Sequence, residues 1–114
     1  MAIESHIELD QGFGALSDPT RRAILARLAL GEATVSELME PFALSQPTIS
    51  KHLKVLERAG LIEGGRDAQR RPRRLRAAAL QDLAGWIAMC RDTWDRRLDN
   101  LERHLDSTQS KETE

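Results

Sequence analysis

Between Thr34 and Arg76, apolar residues recur twice at helical spacing and then in two short runs around a glycine pair. That order predicts helix, turn, helix, hairpin. Thr34 followed three residues later by Glu37 is a capping box, opening a short helix with Val35 and Leu38 inward. Pro41 is expected to end it about two turns on. Ser45 then caps a second helix with Pro47 in its first turn, where the missing N–H is not needed. Ile49, Leu53 and Leu56 form its apolar stripe, while Pro47, Lys51, Lys54 and Arg58 fall opposite, with Ser50 at the edge. A helix apolar behind and cationic or hydroxylated in front can lie in a DNA major groove. Gly60 is placed to stop it. Leu61-Ile62 and Leu75 flank Gly64-Gly65 and a run of arginines, as expected of two strands joined by a tip.

The flanking segments read as scaffold. Asp18-Pro19 opens a helix over about residues 19–30, with Ile24, Leu25 and Leu28 inward and Gly31 at its end. Residues 3–15 are expected to form a short helix anchored by Ile7, Leu9 and Phe13. Arg21 and Arg22 sit in a first turn, where the helix dipole disfavours cations. A salt bridge to Glu4, Glu8 or Asp10 explains them better than a phosphate contact. The last helix runs over about residues 77–105. Leu80, Leu83, Ile87, Cys90, Trp94, Leu98, Leu101 and Leu105 share one side of it, with Trp86 beside the stripe and Met89 opposite. At 1.5 Å per residue it spans roughly 40 Å. One small domain cannot cover so long a stripe, so a second chain is expected to bury part of it as a homodimer. The fold class is therefore mostly α with a small β-hairpin: a winged helix-turn-helix with a long C-terminal dimerisation helix. One domain is expected over residues 1–106, with the polar stretch 107–114 fraying.

Charge sharpens this picture. The chain has 17 basic and 18 acidic residues, a net of −1, which alone argues against a nucleic-acid binder. Residues 51–76, however, hold nine basic groups against three acids, a net of +6, leaving −7 for the remainder. Phosphate responds to local charge, and the patch coincides with the second helix and hairpin. In isolation the arginines of 66–76 could also belong to a linker; the flanking apolar anchors favour a wing.

Other chemistry finds little support. His6, His52 and His104 are scattered, and His52 beside the second helix's stripe reads as packing or a DNA-proximal donor. Cys90, on the apolar stripe, reads as a small hydrophobe. There is no Gly-rich phosphate loop, nucleophile elbow or paired-carboxylate motif, so an enzyme is not expected. Asp92, Asp95, Asp99, Glu102 and His104 could assemble a metal site across a dimer, but at helical spacing they read first as a solvated face. No metal or cofactor is expected. The longest uncharged stretch, residues 41–50, is far short of the ~20 apolar residues of a membrane span. No secretory signal is read, and a single cysteine suits the cytoplasm.

The segments LSDPTRRAILARL (16–28) and LSQPTISKHLKVLERAGLI (44–62), followed by the arginine-rich wing, resemble the ArsR/SmtB family of bacterial winged-helix repressors. The resemblance covers nearly the whole folded length. It implies a homodimeric repressor occupying an inverted-repeat operator in double-stranded DNA, with base contacts from Gln46, Thr48, Ser50 and Lys51. The full candidate DNA-binding set is Ser45, Gln46, Pro47, Thr48, Ser50, Lys51, His52, Lys54, Arg66, Arg70, Arg71, Arg73 and Arg74. Family members also carry a metal-binding Cys-x-Cys in the first helix of the motif. Thr34 and Ser36 stand there, so the chain resembles the branch without that site, and its effector would be a small molecule or a partner protein. A dimeric interaction module using the long helix is the alternative reading.

Overall fold

A computed structural model describes residues 8–64 and 71–112, with side chains described as far as Gln109. Seven elements follow in order: α1 (Leu9–Ala15), α2 (Pro19–Leu28), α3 (Val35–Phe42), α4 (Gln46–Arg58), β1 (Ile62–Glu63), β2 (Arg74–Leu75) and α5 (Ala77–Glu112). The chain divides into two compact units, residues 1–83 and 84–114.

In the first unit the capping signals act as read. The Asp18 carboxylate accepts the Arg21 N–H at 3.0 Å and starts α2. The capping box of α3 is complete: Thr34 Oγ1 accepts the Glu37 N–H at 3.2 Å, and Glu37 Oε1 accepts the Thr34 N–H at 3.2 Å. Gly60, at φ 77°, closes α4 as a Schellman turn, its N–H reaching the Glu57 carbonyl while the Leu61 N–H reaches that of Leu56.

One expectation is corrected here. Pro41 does not end α3: it forgoes one helical hydrogen bond, and the helix runs on to Phe42. The stop comes from Ala43, a non-glycine residue in the left-handed region at φ 52°, where the chain turns toward α4. Arg21 and Arg22 have structural roles toward backbone; Glu4, among the acids expected to pair with them, lies outside the described residues. Arg21 Nε donates to the Ala15 carbonyl at 2.8 Å and Arg22 donates to that of Leu16 at 2.7 Å. Cations from α2 thereby serve the negative end of α1, which has no basic residue in its own last turn. Of the anchors expected for α1, Leu9 and Phe13 pack against the core; Ile7 lies outside the described residues.

The core is built from the predicted inward positions. Ile24, Leu25 and Leu28 of α2 meet Val35 and Leu38 of α3 and Ile49, Leu53 and Leu56 of α4, closed over by Leu61, Ile62, Ala79 and Leu83. The antiparallel wing pairs Ile62 with Leu75 and Glu63 with Arg74. A single bridge adds Ala33 opposite Arg73.

The second unit is the remainder of α5. The helix continues through residues 107–112, where a fraying tail was expected. Every described side chain from Ala84 to Gln109 is exposed, among them Ile87, Trp94, Leu98, Leu101 and Leu105. The Arg97 guanidinium lies 5.9 Å from the Trp94 ring centroid. Leu83 is 3% exposed and belongs to its own chain's core, with Leu80 half-buried beside it, because the first turns of α5 lie in the first unit.

Candidate nucleic-acid interface

The α4 helix presents two faces with different chemistry. Ile49, Leu53 and Leu56 are buried, and on the other side Pro47, Lys51, Lys54 and Arg58 are exposed. Burial of the apolar face orients the cationic one outward. At the helix start, the Ser45 hydroxyl accepts the Thr48 N–H at 3.4 Å and lies 2.9 Å from the Thr48 hydroxyl. Ser45 and Thr48 are thus partly committed to the cap, while Gln46 and Ser50 are half-exposed at the same end. The N-terminal turn of a helix also offers backbone N–H groups and a positive dipole end, both suited to phosphate. His52 Nδ1 lies 3.9 Å from the Asp18 carboxylate, joining α4 to the cap of α2.

That carboxylate is held below its ordinary value of 3.8. The Arg21 N–H bond is the largest cause, and the charges of Arg21 and His52 add to it. Glu37 is likewise lowered from 4.5, first by the Thr34 N–H and then by the Thr34 hydroxyl, with a further contribution from Arg27.

The wing's arginines divide into separate roles. Arg73 is corrected from a phosphate contact to a buried residue: it is 3% exposed, and its Nε donates to Glu57 Oε1 at 2.9 Å. A guanidinium out of water needs an anionic partner, and the end of α4 supplies it. Arg74 is exposed between two acids, 4.0 Å from Glu32 and 3.5 Å from Glu63. Such open pairs are weak, so phosphate can compete for it. Arg76 donates to the Gly60 carbonyl at 3.2 Å, tying the wing's return to the end of α4. Arg71 is exposed. Arg66 and Arg70 lie outside the described residues. On α4 and at the wing base, the exposed cations among the described residues are Lys51, Lys54, Arg58, Arg71, Arg74 and Arg76.

The reading from sequence missed Glu57 and Gly64 as partners of Arg73. Glu57 and Arg73 are 16 residues apart on different elements, so no local periodicity couples them. The only trace is an acid on an otherwise cationic helix end.

A family model described as a helix-turn-helix domain matches residues 16–64, from the end of α1 through β1. The transcriptional repressor SdpR of Bacillus subtilis is 41% identical over 75 residues, covering 66% of this chain and 83% of that protein. An ArsR-like transcriptional regulator from Rhodococcus sp. RHA1 superposes with a TM-score of 0.72 at 33% identity, over 83% of this chain and 90% of its own. The chain belongs to the ArsR family. A third relative by structure is a homodimeric winged helix-turn-helix DNA-binding domain from Mycobacterium bovis, itself described as a possible ArsR-family regulator. It matches at TM-score 0.55 and 29% identity, over 75% of this chain and 77% of its own. This ArsR-family member is a sequence-specific DNA-binding transcriptional regulator of winged helix-turn-helix fold. Its residues do not fit a thiolate-held metal at the family's Cys-x-Cys position. Thr34 and Ser36 carry no thiol, and the Thr34 hydroxyl is engaged in the α3 cap. Among the described residues no group of three or more His, Cys, Asp or Glu could hold a metal ion. No helix among them is long and apolar enough to cross a membrane.

Proposed function

We propose that the chain is a homodimeric repressor that occupies an inverted-repeat operator, with α4 in the major groove and the wing along the flanking backbone. The observation that carries this reading is the alignment of Lys51, Lys54 and Arg58 on the exposed side of a helix whose other side is core. Gln46, Thr48 and Ser50, with Lys51, are assigned to base edges; Lys54, Arg58, Arg71 and Arg74 to phosphates. Arg66 and Arg70 keep the phosphate role given to them from sequence. The exposed stripe of α5, from Ile87 to Leu105, is assigned to the partner subunit. Two-fold symmetry then sets the half-sites one DNA turn, about 34–36 Å, apart. The reading gives no residue a catalytic role and puts the protein in the cytoplasm with the chromosome. It leaves release from DNA to a small molecule or a partner protein.

Selection from random duplexes by the purified protein tests it directly. The expected product is an imperfect palindrome bound with steep salt dependence, because each phosphate neutralised releases counterions. Changing Gln46 or Ser50 to alanine should shift the selected bases. Lys54→Ala and Arg71→Ala should weaken all sequences alike and lower the salt slope by about one each. Equal binding of selected and scrambled duplexes by the wild-type protein would defeat the reading.

A further inference from the structure

Arg73 touches three parts of the first unit at once. Its backbone pairs with Ala33, just ahead of the α3 cap, through N–H to carbonyl bonds of 2.8 and 3.2 Å. Its side chain reaches Glu57 in the last turn of α4 at 2.9 Å and the Arg71 carbonyl at 3.1 Å. Its own position is the one before β2. Gly64 lies at the next step of the ladder, and here the absence of a side chain matters. A Cβ on Gly64 would fall 2.5 Å from Arg73 Cδ, 2.7 Å from Nε and 3.0 Å from Glu57 Oε1. The Arg73 side chain crosses the space that any other residue would fill.

The wing needs such a fastening. Among the described residues its ladder is two pairs long, and a short two-stranded hairpin is marginal by itself. Glu57, in turn, is an anion on the helix that carries Lys54 and Arg58. Beside DNA it repels phosphate, so its presence calls for another role. We infer that Glu57, Arg73 and Gly64 form a clamp that sets the wing on the recognition helix. Arg73 acts in it as a positioning residue for the wing's phosphate contacts and makes none itself. This inference rests on the proposed DNA-bound arrangement, but the clamp is also readable in the free protein.

The sign of one substitution separates the possibilities. If Arg73 met phosphate directly, Glu57→Gln would remove a repulsive charge and tighten DNA binding. The clamp predicts the reverse: weakening of about fivefold or more, with a salt slope lowered by about one to two as wing phosphates are lost. Gly64→Ala, which alters no charge, should do the same. Partial unfolding would reduce the active fraction and leave the slope unchanged, and melting curves keep the assay below the unfolding transition. In the absence of DNA, amide hydrogen exchange at residues 73–75 should quicken by about tenfold in both variants, the scale of losing a hydrogen bond to a charged group. Tighter or unaltered DNA binding by Glu57→Gln overturns the clamp's role in recognition. Unaltered exchange at 73–75 in both variants overturns the clamp itself, whether or not the wild-type protein prefers any duplex.

Discussion

Asp18 and Glu37 show how much single side chains do at helix starts. Each accepts a backbone N–H that would otherwise lack a partner, and each is held below its ordinary carboxyl value as a result. A carboxyl with a depressed folded-state pKa stabilises fully above its unfolded value and loses that stabilisation as pH falls through the folded one. For this pair the loss begins near the ordinary values of 4.5 and 3.8 and deepens below them. Stability should therefore be flat from neutral pH to about 5 and then decline. Asp18→Asn with Glu37→Gln should reduce stability at neutral pH and shallow the acid decline. Unfolding midpoints of both proteins between pH 3 and 7 measure this, and parallel profiles would refute the assignment. The caps were legible in the sequence because they are local: cap and partner lie three residues apart. The role of Arg73 was not. Nothing in a run of arginines distinguishes the one that folds back onto Glu57 from those that face solvent.

At the scale of elements, the proposed reading gives α5 two functions along one stripe. Leu83 is inside its own chain's core, whereas Leu98 and Leu101, at 40% and 53% exposed, face solvent in the single chain. Substitutions at the two ends should therefore behave differently. Leu83→Ala should lower unfolding stability by about 2–4 kcal/mol at any protein concentration, the cost of removing a buried leucine side chain. Leu98→Asp should make assembly fail, because a charge in an apolar seam goes unpaired. Light scattering and melting at two concentrations separate these effects. A concentration-independent loss from Leu98→Asp, or a wild-type monomer at micromolar concentration, would contradict the proposed seam. The extension of α5 to Glu112 was not legible either, since residues 107–112 carry no apolar repeat to announce a helix. Pro41 misled in the opposite direction, because late in a short helix a proline forfeits only one hydrogen bond before the stop at Ala43.

The molecule as a whole is a DNA-binding regulator whose control, on the present reading, does not run through thiolate-bound metal. Thiolate sites need two or three converging cysteines, and the chain has Cys90 alone. Zinc, cadmium or arsenite at modest excess should leave operator affinity unchanged, and Cys90→Ser should bind as wild type does. Stoichiometric metal that releases DNA in the wild-type protein but not in Cys90→Ser would reverse the conclusion. The basic region lies within a chain of near-zero net charge, so binding strength depends on where cations point, not on how many there are.

Whatever depended on neighbours in sequence was determined by the sequence itself. Helix periods, caps, the Gly60 stop and the apolar anchors of the wing are short-range signals, and together they specify helix-turn-helix and hairpin in order. Tertiary structure alone decided which of the arginines are spent on the fold, which leucines of α5 belong to the chain's own core, and where Arg21 and Arg22 find their partners. Those outcomes turn on contacts between elements, where burial makes an unpaired charge costly and selects one partner among many chemically alike.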